Sequence, residues 1–287
     1  MSVRTAVLPV AGRGTRFLPV TKVVPKEVLP LVDRPCIEYV VAEAVAAGIE
    51  KIVFITAEGK DALVDYFRTA PDLEAYLDQA GKPELLAEVQ RVSRLATVVP
   101  VRQEQALGLG HAVLQARPAI GDVPFAVMLG DDIIDAEVPA IGQLMMGYQD
   151  GEANVALMEV PLDQTQHYGV CAGAMVTPVR MRVTEMVEKP IPAEAPSNFA
   201  IVGRYILPPD IWEMLARTQP GSGGEIQLTD AIATLAAQGR VEGRVFEGER
   251  FDTGNVIGLL RASIHFALKR PDLAGPLREM LAEFQGR

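Results

Sequence analysis

A few residues from the start of the chain, the apolar run Ala6-Val7-Leu8-Pro9-Val10 breaks into Ala11-Gly12-Arg13-Gly14-Thr15-Arg16. An apolar run of this length reads as a buried strand, and the glycines mark a sharp turn where it ends. The pattern beyond it limits the fold further. Ile37, Val40, Val41, Ala44 and Val45 recur at helical spacing and stop at Gly48, a natural C-terminal cap, and Lys51–Thr56 reads as a second buried strand. Strand, loop, helix and strand in that order describe a right-handed parallel crossover. Val98–Val101 and Phe125–Leu129 continue the alternation, with a helical segment starting near Gly110 between them. The expected fold class is α/β, an open Rossmann-like sheet flanked by helices on both faces, with ligands at the carboxyl ends of its strands.

The first turn has the chemistry of a phosphate-handling loop. Gly12 and Gly14 remove two Cβ atoms where a backbone would approach a ligand, and Thr15, Arg16 and Lys26 offer a hydroxyl and two cations to phosphoryl oxygens. This suits a nucleoside triphosphate. The spelling rules out two common alternatives. A dinucleotide fingerprint needs a glycine where Phe17 stands, and neither Gly59-Lys60-Asp61 nor Gly81-Lys82-Pro83 completes a Walker A loop. On residues alone, the Gly-x-Gly is equally a tight turn; two solvated cations is the plainer but weaker reading of Arg16 and Lys26, since cations beside a glycine loop in an acidic chain point to a ligand.

The 287 residues carry 27 Lys and Arg against 37 Asp and Glu, a net charge of −10 that repels nucleic acid and leaves cations to act locally. That length suits one elaborated domain. Cys36 and Cys171 form neither a disulfide framework nor a Cys-x-x-Cys motif, so a reducing, cytoplasmic setting is expected. No apolar run reaches membrane-spanning length and no leader pattern opens the chain, so the expectation is a soluble, unprocessed protein without a membrane partner.

Residues 71–94 read as one or two surface helices. Beyond Gly151 come valine-rich strands at Val155–Val160, Met181–Val187 and Ala200–Leu207. A first half over about residues 1–150 would then be followed by a second half to about 255 and C-terminal helices over 256–287. Ser222 and Glu225 have capping-box spacing ahead of a helix. In the last segment Ile257, Leu260, Ile264, Ala267 and Leu268 form an apolar stripe, read first as the core-facing side of a helix.

Several motifs occur in one order: Gly12-x-Gly14-Thr15-Arg16, Pro25-Lys26-Glu27-Val28-Leu29-Pro30, Gly108-Leu109-Gly110-His111-Ala112, Glu188-Lys189-Pro190, Ser197 to Tyr205, and Gly224-Glu225-Ile226-Gln227-Leu228-Thr229-Asp230-Ala231. Together they resemble the sugar-1-phosphate nucleotidylyltransferases, in particular their bacterial uridylyltransferases acting on glucose 1-phosphate. The likeness runs from about Thr5 to the helix after Asp252. It implies a mixed sheet of the nucleotide-diphospho-sugar transferase type, continuous through a nucleotide-binding half over about residues 1–150 and a sugar-binding half over about 151–255. It also implies Mg²⁺-dependent transfer of UMP from UTP to glucose 1-phosphate, with UDP-glucose and pyrophosphate as products, by a homodimer or homotetramer.

By the same resemblance, Arg16 would hold the triphosphate and departing pyrophosphate, and Lys26 would act at the reacting phosphates. Ala11, Gly12, Gly14, Thr15, Glu27, Gln103 and Gly108 would surround the nucleotide, with Gly108 letting the backbone approach the base. Gly169, Glu188, Lys189, Val202 and Gly203 would hold the sugar phosphate, Lys189 on the phosphate and Glu188 on the hydroxyls. Asp131 and Asp252 would be the metal carboxylates. An Asp after a strand is otherwise a common cap or turn residue, and the adjacent Asp131 and Asp132 cannot be told apart by sequence. Arg13, Val20, Val23 and the Gly130-Asp131-Asp132 spelling depart from the family pattern without removing a proposed ligand. Competing readings are the same chemistry with dTTP, a non-catalytic nucleotide-sugar sensor, and a nicotinamide-dependent oxidoreductase disfavoured by Phe17.

Overall fold

The computed structural model describes residues 3–285, except for the side chains of Ser222 and Gln285. Among these residues the strands are β1 (Thr5–Pro9), β2 (Pro30–Leu31), β3 (Arg34–Pro35), β4 (Lys51–Thr56), β5 (Thr97–Arg102), β6 (Phe125–Met128), β7 (Asp132–Asp135), β8 (Ala153–Glu159), β9 (Gly169–Thr177), β10 (Arg180–Glu188), β11 (Phe199–Leu207), β12 (Val241–Val245) and β13 (Glu249–Asp252). Nine of them make one sheet in the order β5-β4-β1-β6-β11-β8-β12-β10-β9. The first four are mutually parallel. β11 runs antiparallel to both β6 and β8, and β12 pairs parallel with β8. The sheet is therefore mixed and continuous through both halves of the chain.

The apolar character of β1 follows from its interior place between β4 and β6. Ala6 and Leu8 pack into one hydrophobic cluster with Ile37, Val40 and Val41 of the helix Cys36–Ala46, while Val7 packs into a second with Ala112 and Val113 of the helix Leu109–Gln115. Both faces of the strand are buried, so every position must be apolar. The Pro71–Arg94 region forms two helices, Pro71–Gln79 and Pro83–Ser93, each opened by a proline in its first turn.

Three details place the site. A two-stranded ribbon pairs β7 with β13 and sets Asp132 opposite Asp252. In β11 the pairing with β8 is irregular between Ile201 and Tyr205, which frees Gly203 to accept from Leu129 N–H at 2.9 Å. At the turn of this strand Arg204 is fully buried, donating to the Glu43 carboxylate at 2.7 Å and to the carbonyls of Gly203 and Asp132. Arg204 thus ties β11 both to the helix Cys36–Ala46, through Glu43, and to the ribbon, through the Asp132 carbonyl.

Two expectations change. The helix over Gly224–Ala231 begins at Leu228, with Gln227 at its N-cap and no side-chain cap, and the Ser222 half of the expected capping box lies outside the described residues. The stripe on the helix Val256–Leu268 does not face the core: Ile257 is 73% exposed and Leu260 54%. Leu259, Ala262 and Phe266 make the inward contact instead.

Candidate active site

A cleft of about 910 Å³ opens at the carboxyl edge of β1, β4 and β5 and is lined by Ala11, Gly12, Thr15, Lys60 and Gln103 among others. Gly12 contributes open space, since a Cβ there would meet nothing within 4 Å. Gly14 contributes a backbone shape: its φ of 64° is left-handed, and its carbonyl accepts from Thr21 Oγ1 at 2.8 Å. The chain then leads through short 3-10 turns, Thr15–Phe17 and Lys26–Val28, that bring Arg16 and Lys26 to the same end of the sheet.

Lys26 Nζ lies 2.5 Å from Asp131 Oδ2. Burial by itself lowers Lys26 and raises Asp131, but the facing charges outweigh it, holding the ammonium above its ordinary pKa and the carboxyl below its own. Asp252 approaches the same place from the ribbon. A Cβ on Gly254 would lie 2.7 Å from Asp131 Oδ2 and 2.9 Å from Asp252 Oδ1, so the two carboxylates converge on the gap that this glycine leaves. Arg16 Nη1 reaches the Gly254 carbonyl at 3.5 Å. Asp132 turns the other way, onto Arg250 Nε at 2.7 Å. Asp131 is thus the member of the pair that shares a site with Asp252.

Magnesium takes oxygen ligands, usually one or two carboxylates completed by phosphate and water. Asp131 and Asp252 fit that donor set. No cluster of three or more His, Cys, Asp or Glu suited to a metal occurs among the described residues, so an ion here would complete its shell with substrate oxygens rather than a protein cage.

Glu27 is 3% exposed and forms a salt bridge at 2.8 Å with Lys60, which also donates to the carbonyl of Val10. Its carboxylate supports the cleft floor through Lys60 rather than pointing freely at a base. Gly108 has a φ of 103°, and the place of its Cβ is taken by Glu225 Cβ and Ile226 O, each at 2.7 Å. The chain's own packing already excludes a side chain there. Gln103 is buried at the end of β5, and its amide meets His111 Nδ1 at 2.9 Å.

The remaining residues lie at the start of β9, the end of β10 and the middle of β11. Glu188 Oε2 accepts from Thr229 Oγ1 at 2.6 Å, and both atoms border the missing Cβ of Gly169. Lys189 has a left-handed φ of 48°, its N–H donates to Tyr168 O at 2.9 Å, and its Nζ lies 3.4 Å from Glu188. Val202 is buried in the core and Gly203 packs against Asp132 and Leu129, so these two positions offer backbone groups only.

Residues 5–268 match the family model described as nucleotidyl transferase. The chain belongs to the nucleotidyl transferase family. It is 46% identical over 276 residues to the UTP--glucose-1-phosphate uridylyltransferase of Bacillus subtilis, covering 96% of this chain and 94% of that protein. Among solved structures it resembles the UTP-bound UGPase of Acinetobacter baumannii, with a TM-score of 0.89 and 40% identity over 98% of this chain and 99% of the other. A UDP-glucose pyrophosphorylase complexed with UDP-glucose matches with a TM-score of 0.84 and 40% identity over 94% of this chain and all of that one.

In this nucleotidyl transferase, Lys60, Thr229, Arg250 and Gly254 stand against the candidate residues although no motif assigns them a place there. Gly254 could have been noticed, because a glycine two residues after a candidate metal Asp suggests crowding. Thr229 was read as part of a capped helix. Lys60 and Arg250 gave no signal, since a lone cation in a sequence looks the same paired in the interior or solvated outside.

Proposed function

We propose that this chain transfers the uridylyl group of UTP to α-D-glucose 1-phosphate, giving UDP-glucose and pyrophosphate. The observation that carries the reading is the convergence of Lys26, Asp131 and Asp252 beside the Gly12–Arg16 loop. The names of near-full-length relatives supply the donor and acceptor, and they favour UTP over dTTP.

The sugar phosphate is already a nucleophile and pyrophosphate already a leaving group, so the protein must align them and offset charge. Arg16 binds the β- and γ-phosphates and stays with pyrophosphate as it leaves. Lys26 lies against the α-phosphoryl oxygens, where charge gathers in the in-line displacement. Asp131 and Asp252 would hold Mg²⁺, which supplies neutralisation of phosphate charge when bound. Lys189 binds the phosphate of the acceptor, and Glu188, held by Thr229, accepts from the sugar hydroxyls. Ala11, Gly12 and Gln103 border the base. No covalent intermediate on the protein is needed.

The exposed residues Ile257, Leu260 and Ile264 support assembly into a homodimer or homotetramer through the C-terminal helices, burying apolar surface that the single chain leaves in water. The reaction is that of the cytoplasm, where UTP is made, and among the described residues no helix is long and apolar enough to cross a membrane.

The test is pyrophosphate release from glucose 1-phosphate with each of UTP, dTTP, CTP, ATP and GTP, with magnesium and with chelator. Selective release with UTP and magnesium is expected. Preference for dTTP would move the chain to thymidylyl transfer, and UDP-glucose binding without turnover would make it a sensor.

A further inference from the structure

On β13, Arg250 divides its guanidinium between two partners from different parts of the chain. Its Nε donates to Asp132 Oδ1 at 2.7 Å and its Nη2 pairs with the same oxygen, while its Nη1 donates to the Tyr168 hydroxyl at 3.2 Å and its Cζ lies 5.4 Å from the centre of the Tyr168 ring. The Arg250 side chain is 11% exposed and that of Asp132 7%. A cation so enclosed is fixed by its partners rather than by solvent, and the planar fork of a guanidinium holds both of them at set angles.

Each partner is joined to one of the phosphate-binding lysines. Asp132 follows Asp131, whose carboxylate pairs with Lys26 at 2.5 Å, and a Cβ on Gly203 would lie 2.5 Å from Asp132 Oδ2, so this side chain is wedged between Arg250 and β11. Tyr168 precedes Gly169, and its carbonyl accepts from the Lys189 N–H at 2.9 Å. Lys189 leaves β10 with a left-handed φ of 48°, a shape that a lysine keeps only where its surroundings fix it, so its place follows that of Tyr168. We infer that Arg250, acting through Tyr168, is a positioning residue for the acceptor: it fixes the Tyr168–Gly169 turn against Asp132 and so sets Lys189 at the distance from Lys26 that in-line attack requires. This rests on the proposed reading that Lys26 lies at the donor phosphate and Lys189 at the acceptor phosphate.

A nucleophile displaced by about 1 Å loses on the order of 10²-fold in rate, so a link between the two lysine-bearing segments has consequences beyond packing. An arginine suits this link because it reaches a carboxylate and a hydroxyl at once. A lysine in its place keeps a charge for Asp132 but brings a single point of contact, and a phenylalanine at position 168 keeps the ring beneath the cation and removes only the hydroxyl. Neither change strands the buried Asp132 carboxylate.

Steady-state kinetics of Tyr168→Phe, Arg250→Lys and the double variant test the inference. Each single change should lower kcat/KM for glucose 1-phosphate by about tenfold while KM for UTP, and KM for pyrophosphate in the reverse direction, stay at their wild-type values. The double variant should be no worse than either single one, because both remove the same link. Unchanged kcat/KM for glucose 1-phosphate in Tyr168→Phe would overturn the proposal, and so would a rise in all three KM values together, which is the mark of general loosening. If Arg250→Lys fails to fold, Tyr168→Phe decides alone, since it leaves the pairing of Arg250 with Asp132 intact. A wild type that does not use glucose 1-phosphate with UTP would instead remove the proposed reaction, an outcome visible before any variant is made.

Discussion

Asp131 and Asp252 meet at the Cβ position that Gly254 leaves empty, a point 2.7 Å from an oxygen of one and 2.9 Å from an oxygen of the other. The first follows β6 and the second ends β13, and the antiparallel pairing of β7 with β13 brings them together. Gly254 N–H also donates to Asp252 Oδ1 at 2.9 Å, so the glycine both admits the carboxylates and orients one of them.

Gly254→Ala should therefore act as a wedge. Its methyl group would push the two carboxylates apart by an amount comparable to the shifts that cost about 10²-fold in turnover. Turnover and its magnesium dependence measured beside a circular dichroism melt would check this. A fully active variant would show that the two carboxylates need not share a site.

The ion pair of Lys26 with Asp131 gives a pH signature. Asp131 is held below its ordinary value of 3.8, so the folded state binds fewer protons there than the unfolded chain. The resulting stabilisation is present above that ordinary value and disappears as pH falls through the depressed one. In Lys26→Met burial is left to push Asp131 upward, which makes its charge a liability at neutral pH. The difference in Tm between wild type and Lys26→Met should be largest near neutrality and shrink below about pH 4. A difference independent of pH would argue against the pair.

Lys60 and Glu27 form the more deeply buried pair, and there burial wins at both ends: it lowers the Lys60 ammonium and raises the Glu27 carboxyl despite their attraction. Lys60→Met alone should destabilise the protein by about 3–5 kcal/mol, because it strands a buried carboxylate. Adding Glu27→Leu should recover most of that loss. Urea titrations of the single and double variants would test the coupling, and a double variant as unstable as the single one would refute it.

The outward stripe predicts an assembly that a charge should break. Ile257→Asp with Leu260→Glu should convert the proposed oligomer to monomers in sedimentation analysis while leaving the monomer folded, since both side chains are more than half exposed in the chain. A wild type that sediments as a monomer would contradict assembly through this face.

The sequence by itself determined the parallel half of the fold. β1, β4 and β6 are apolar on both faces because both are covered, and that leaves runs legible without any partner. The glycine loop was legible because its steric demand is local. β9 was not, because Gly173, Ala174 and Met175 lie exposed at the sheet's edge, where little burial forces a period. The stripe on Val256–Leu268 was visible as a pattern, but its direction was not: periodicity records that a face is apolar, not what covers it. Tertiary structure alone decided that Asp131 rather than Asp132 joins Asp252, that Glu27 is spent on Lys60, and that His111 sits between Gln103 and Gln115. Each is a contact between residues that only the closed sheet and its ribbon bring within hydrogen-bond reach. Chain propensities are set by neighbours in sequence, whereas the partner of a charge or an amide is set by whatever the fold places beside it.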